Sequence, residues 1–284
     1  MGLAKRNLKI FFRDKGAVFF SFLSSLIVIG LYFLFLGRAY TSEFKNLEHI
    51  KEFMDNWIFS GVLGITTVTT SISALGIMVT DKQYKIYKDF YVTPIKRSQF
   101  SRGYLFSGFM ITMILSLFTL LVAEIFIVVS GGSLLSATAF LKVLGIIALT
   151  AFANTSMIFW LVSFFRTSNA LSVASTIIGT LIGFLTGIYL PIGNLPESVQ
   201  WVVKLFPPAH GVLLFREAMT KDIIKKCFAG VPVQAVDEVK KIFGIVFEFG
   251  EHKLPLWMSA VFLLITGIFF FVLSSFRIRG SDEK

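Results

Sequence analysis

The chain has 284 residues, 55% of them hydrophobic and 15% charged, with a mean hydropathy of +0.77 and a formal net charge of +10. Soluble domains carry about 25% charged residues, and a soluble fold could not bury this much apolar surface and stay dispersed, so the composition is that of a membrane protein. The single cysteine, Cys227, excludes an intramolecular disulfide and a cysteine-based metal cluster.

The opening segment, GLAKRNLKIFFRDK (2–15), is amphipathic: Leu3, Leu8, Ile10, Phe11 and Phe12 alternate with Lys5, Arg6, Lys9 and Arg13. It suits a helix lying in a membrane interface, or an ordinary basic flank. Six stretches follow, at 16–37, 57–79, 103–130, 143–165, 170–192 and 254–276. Each can cross a hydrocarbon core of about 30 Å at roughly 1.5 Å per residue. The first is too long for the apolar core of a signal peptide and no A-x-A site follows it, so it is expected to be an uncleaved span. With both termini inside, the inner segments 1–15, 80–102, 166–169 and 277–284 are the densest in Lys and Arg, as the positive-inside rule requires. The excess of base is therefore mainly a topology signal and not a nucleic-acid footprint.

Span 2 carries Ser60, Gly64, Thr67, Ser71 and Ala74 on one helical face, and span 5 carries Gly179, Gly183 and Gly187 beside Thr176. Small faces let helices pack closely, and they can also line a path for an amphiphile. Glu124 is the one ionisable residue well inside a span; it lies near the outer end of span 3, within reach of the interface. Asn154 reads as an interhelical hydrogen bond.

Between spans 2 and 3, TDKQYKIYKDFY (80–91) opens with a capping-box pair, Thr80 and Gln83, and sets Tyr84, Tyr87 and Tyr91 at i, i+3, i+7. Thr93 and Pro94 then read as an N-cap and a first helical residue. The pattern gives two short helices, offering an aromatic knob to a partner or resting on lipid headgroups. After span 5, four of the seven prolines fall within 188–211 (Pro191, Pro196, Pro207 and Pro208), too interrupted for full helices that cross and return. A break at membrane depth is tolerated where protein buries it or where it lines a cavity. We therefore expect a re-entrant hairpin over 193–219, with Pro191, Gly193 and Pro196 as breaks and joints and Trp201, Phe206 and Pro207 offering apolar bulk as an outer gate. Phosphate-loop, H-E-x-x-H and G-x-S-x-G motifs are absent, and His49, His210 and His252 show no ligand spacing and read as solvated loop residues.

KIFFRDKGAVFF (9–20), YVTPIKRSQF (91–100) and GIYLPIGNLPESVQWVVKLFPPAHGVLLFREAM (187–219) together resemble the permease subunits of type V ABC exporters, the ABC type-2 membrane family. The resemblance implies a single all-α transmembrane domain: an interfacial helix, six spans, a coupling helix after span 2 and re-entrant helices before span 6. It covers about 16–220 and 254–276, and leaves 220–253 as an outer insertion. It further implies a multi-pass subunit of a bacterial plasma membrane, exporting a drug, lipid, peptide or lipid-linked glycan. An ABC nucleotide-binding subunit, which would hold ATP and Mg, would dock on Tyr84, Tyr87, Phe90, Tyr91, Thr93 and Pro94. A second permease subunit, identical or not, would meet the faces of Ser60, Gly64, Thr67, Ser71, Thr176, Gly179, Gly183 and Gly187. No cofactor, metal or nucleic acid is expected on this chain. DKQYKIYKDF departs from the Glu-Arg-Gly-Thr character of relatives before the coupling helix. A secondary transporter, or a non-transporting scaffold or immunity protein, is the alternative.

Overall fold

A computed structural model describes residues 2–32, 34, 47–86, 97–250 and 252–280. The chain is almost wholly helical: α1 Gly2–Arg13, α2 Lys15–Ser21, α3 Leu23–Leu31, α4 Ile50–Gln83, α5 Arg97–Val129, α6 Ala137–Val162, α7 Ser168–Leu185, α8 Glu197–Leu205, α9 Pro207–Cys227, α10 Val233–Ile242 and α11 Leu256–Gly280. A 3₁₀ turn at Ile192–Asn194 and a two-residue hairpin, β1 Glu248–Phe249 with β2 His252–Lys253, complete the described part. Among the described residues, α4, α5, α6, α7 and α11 are long and apolar enough to cross a membrane. The expected first span, 16–37, begins as α2 and α3 and then runs outside the described residues.

α4 is the hub. From Trp57 to Thr80 it is apolar or small on every side, the pattern of a buried helix, and it packs against α3, α5, α6, α7 and α9. Of its apolar stretch 78% is buried, against 11% for α7, which leans chiefly on α4. α11 lies along α6 and shows an open apolar face through Trp257, Val261, Leu264, Ile268 and Val272. Helix α1 docks on α5 through Ala4, Asn7 and Phe11, one face at i, i+3, i+7, while Ile10 and Phe12 stay exposed.

The break at Phe22 separates α2 from α3. Asp14 caps the start of α2 by accepting from Ala17 N at 2.9 Å. At the break, the hydroxyl of Thr69 on α4 donates to the Ser21 carbonyl at 3.2 Å, and Ser21 Oγ meets Ser73 Oγ at 2.9 Å. Side chains from α4 thus satisfy polar groups that an unbroken ladder would have used.

Segment boundaries differ from expectation at the exit of span 5 and at the end of the re-entrant segment. α7 stops at Leu185, seven residues short of the expected exit at 192. α9 runs through the expected boundary at 219/220 to Cys227, because Ile223, Ile224 and Cys227 continue its buried face. The stretch expected as an outer insertion therefore leaves the helix only after Cys227. It is anchored by Phe243, Ile245 and Phe247, all buried, with Phe243 set edge-on against Phe53 at 5.6 Å and Trp57 at 5.3 Å.

Candidate functional site

Asp81, Lys82 and Gln83, the last three residues of α4, each hold a different element. Asp81 accepts a two-pronged contact from Arg6 of α1 (Nη1–Oδ2 2.7 Å, Nη2–Oδ1 2.8 Å) and a hydrogen bond from the Tyr104 hydroxyl of α5. Such fork-to-carboxylate pairs are the strong class of hydrogen bond. Asp81's side chain is 4% exposed and Arg6's 30%. The Asp81 hydrogen bond raises the Arg6 pKa above its ordinary value. Asn7, beside Arg6, donates to Ser107 Oγ at 3.1 Å. Lys82 Nζ donates to the Ser163 carbonyl at 3.0 Å, just past the C-terminus of α6, where a cation complements the helix dipole. Gln83 Oε1 accepts from Ser168 N at 2.7 Å, taking up one of the free amides that open α7.

This arrangement corrects the reading of Thr80 and Gln83 as a capping box. They close a helix and do not start one: Thr80 Oγ1 bonds back to the Gly76 carbonyl at 3.2 Å. α4 ends in a Schellman turn, with Lys85 N on Lys82 O (3.2 Å), Ile86 N on Asp81 O (2.9 Å), and Lys85 at φ 59. A non-glycine residue in that region costs roughly 1–2 kcal/mol, and glycine's extra freedom in the unfolded chain costs about 0.5–1 kcal/mol. Lys85→Gly is thus expected to raise the melting temperature slightly in detergent, and Lys85→Val to lower it. Tyr84 is exposed. Tyr87, Phe90, Tyr91, Thr93 and Pro94 lie outside the described residues.

A seam of buried hydroxyls and one amide runs through the middle of the bundle. Ser71 Oγ lies 3.1 Å from Thr112 Oγ1 on α5 and 3.0 Å from Thr155 Oγ1 on α6. Asn154 Nδ2 donates to Thr67 Oγ1 at 2.8 Å, the interhelical bond expected of it. Ser25 on α3 meets Thr66 at 2.8 Å. Ser60 bonds its own helix at the Trp57 carbonyl, and a Cβ on Gly64 would meet Val212 of α9 at 2.2 Å. Ser60, Gly64, Thr67 and Ser71 are thus all buried within the chain, Gly64 against α9, Thr67 against α6 and Ser71 against α5 and α6. On α7, Thr176 is exposed and Gly179 half-buried, whereas Gly183 lies under the Tyr189 ring, where an added Cβ would come within 2.1 Å.

The opposite end of the bundle holds the proline-rich stretch. α7 is stopped by Gly187, at φ 65, in a second Schellman turn: Gly187 N bonds Phe184 O at 3.1 Å and Ile188 N bonds Gly183 O at 3.0 Å. The stop is thus a glycine four residues before Pro191. Pro191 is buried and precedes the 3₁₀ turn, and Pro196 opens α8. Gly193 is a point of close approach, since a Cβ there would lie 2.6 Å from Ile242 Cα of α10. Trp201 is exposed, packs on Phe249 at 5.4 Å and lies under Lys204 Nζ at 5.9 Å. Burial there lowers the Lys204 pKa. Phe206 joins α8 to α9, and Pro207 takes the first position of α9, where no backbone donor is needed.

Arg216 and Trp57, to which the sequence assigned no role, and His210, expected to be solvated, organise this end. Arg216, fully buried on α9, donates from Nη2 to the Gly187 carbonyl at 2.7 Å and sits 4.7 Å from the Trp57 ring. Trp57 Nε1 in turn donates to the Phe243 carbonyl at 2.8 Å. His210 is buried and not solvated: Nε2 faces the Lys204 carbonyl at 2.8 Å and must carry the proton, leaving Nδ1 to accept from Ser259 Oγ at 3.0 Å. Arg216 was visible as a charge within the apolar run GVLLFREAM, whereas nothing local distinguished His210. Glu124 Oε2 accepts from Leu135 N at 3.1 Å, and Glu52 accepts from Ser133 N at 2.8 Å. Both acids therefore tether the turn between α5 and α6.

A family model for ABC-2 type transporters matches residues 1–220, which takes in the Asp81 junction, the hydroxyl seam, the Gly187 stop and the start of α9. Comparison with curated proteins gives no match. The match spans most of the chain, and with the apolar helices it makes the chain a multi-pass member of the ABC-2 type transporter family, the transmembrane component of an ABC system and not its ATPase.

Proposed function

We propose that the chain is the permease half of an ATP-driven exporter, working in the plasma membrane of a bacterium with both termini cytoplasmic. An ABC ATPase subunit, carrying ATP and Mg²⁺, docks on residues 80–102. The observation that carries this reading is the junction at Asp81, Lys82 and Gln83. A force applied to the loop at its head reaches α1, the C-terminus of α6 and the N-terminus of α7 through side chains one residue apart. A second permease chain, identical or related, covers the open side of α7 around Ser172, Thr176 and Gly179, since so little of that helix is buried in one chain. The hairpin of α8 and α9 closes the far end, with exposed Trp201, Val202 and Leu205 meeting an amphiphilic substrate as it leaves.

The test is co-expression with candidate ATPase subunits and reconstitution in proteoliposomes. The chain alone is expected to hydrolyse no ATP and to retain an ATPase through purification. Tyr84→Ala/Tyr87→Ala/Tyr91→Ala should insert normally and lower transport-coupled hydrolysis at least tenfold, a loss on the order of 1.4 kcal/mol. Normal coupling in that variant would remove the loop from the mechanism. Failure to retain any ATPase would favour a scaffold.

A further inference from the structure

A groove of about 390 Å³ opens between α6, α9 and α11. Each helix supplies one stripe of its lining: Lys142, Gly145, Ile146 and Leu149 on α6 and Leu214, Glu217, Ala218 and Lys221 on α9, both at i, i+3, i+4, i+7, with Leu256, Trp257 and Ala260 from α11. The small residues Gly145, Ala218 and Ala260 make the space. A Cβ placed on Gly145 meets nothing within 4 Å.

The polarity of the groove is the informative feature. α6 and α9 run antiparallel here, yet both put lysine at the same end and leucine at the other. Lys142 leads α6 inward to Leu149, and α9 runs outward from Leu214 to Lys221. Seven residues separate charge from leucine on each helix, a rise of about 10 Å. Trp257, exposed in the first turn of α11, sits at the charged end, where indole rings anchor at a bilayer interface. Lys221 is 3.6 Å from Glu217, while Lys142 has no ion-pair partner among the described residues. The mouth thus carries two lysines against one glutamate, above an apolar floor.

We infer that this groove is a binding site for an anionic phospholipid of the leaflet at that end of the bundle. The phosphate would lie between Lys142 and Lys221, with one acyl chain along Ile146, Leu149 and Leu214. The net single positive charge of the mouth matches the net single negative charge of such a lipid, and the glutamate holds Lys221 at the rim. Because α9 is also the helix that carries Arg216 and His210, an occupant of the groove would brace the hairpin from its membrane side.

The test uses the full chain, purified from nanodiscs containing equal phosphatidylglycerol and phosphatidylcholine and examined by native mass spectrometry for lipid retained after detergent exchange. The wild type is expected to retain phosphatidylglycerol in preference. Lys142→Glu should cut that preference about tenfold, equivalent to roughly 1.4 kcal/mol. Lys225→Glu, the same charge change on α9 outside the groove, should leave it intact. Gly145→Trp, which fills the space without altering charge, should lower retention of both lipids and covers the case in which Lys142→Glu fails to fold. Equal retention of the two lipids by the wild type, or equal losses in Lys142→Glu and Lys225→Glu, would overturn the site and leave only bulk attraction to the protein surface. Unchanged retention in Gly145→Trp would do the same.

Discussion

Asp81→Ala is expected to lower both stability and coupling. It leaves the Arg6 guanidinium and the Tyr104 hydroxyl facing a site where their shared acceptor has gone. Removing one partner of a fully buried pair costs about 3–5 kcal/mol, and the partial exposure of Arg6 brings the expected loss to about 2–4 kcal/mol. Asp81→Asn keeps an acceptor oxygen and should lose less. Arg6→Lys keeps the charge and loses the fork, so it separates geometry from net charge. Thermal melts in detergent give the stability term. The ratio of substrate exported to ATP hydrolysed, measured in proteoliposomes, gives the coupling term. A wild-type ratio in Asp81→Ala would mean that α1 is a passive flank.

The second large effect is expected at Gly187. A Cβ there forces an L-residue to φ 65 and places it 2.3 Å from Ile192 Cγ1. The backbone term is about 1–2 kcal/mol and overpacking adds about 1–3 kcal/mol, so Gly187→Ala should cost on the order of 3 kcal/mol. Gly145→Ala, in open space on α6, should be neutral or slightly stabilising, because alanine is the better helix former. The contrast in melting temperature between these two Gly→Ala changes checks the assignment. If Gly187→Ala melts as the wild type does, the turn does not need its left-handed backbone. The expectation that Pro191 and Pro196 break the chain after span 5 gives way to this residue: the helix has ended before either proline is reached, and Gly193 matters for the approach of α10.

The sequence made the apolar helices, the amphipathic N-terminus and the proline-broken hairpin legible, because each rests on local periodicity or on a backbone restriction that a single residue type imposes. The spans of α4, α5, α6 and α11 were placed to within a few turns by that logic. Partners in space were not legible. The small face of α4 reads the same whether it meets α9 of its own chain or another chain, since Gly64 only states that something comes close. Asp81 looked like a loop residue because charge in a sequence normally marks the end of a span, and its partner Arg6 lies 75 positions away. His210 looked solvated because nothing in the sequence says that the Lys204 carbonyl turns back to it or that Ser259, 49 positions away on α11, reaches its other nitrogen. The 16–37 stretch looked continuous because the hydroxyls that interrupt it belong to α4.

α4 and α7 are neighbours of very different reach. At about 1.5 Å per residue, the 34 residues of α4 rise roughly 51 Å and the 18 of α7 roughly 27 Å, on either side of a hydrocarbon core of about 30 Å. The extra length of α4 lies in its polar ends, Lys51 to Asn56 and Asp81 to Gln83, so its apolar middle fits such a core, whereas α7 falls a few Å short of it. Around α7 the acyl chains must compress toward the Gly187 turn, or the helix must sink and draw the turn below the headgroups, and either adjustment costs a fraction of a kcal/mol per Å of hydrophobic mismatch. Membranes built from short-chain lipids would relax this part of the protein and membranes built from long-chain lipids would load it, so that bilayer thickness itself becomes a mechanical input acting on the short helix beside the hub.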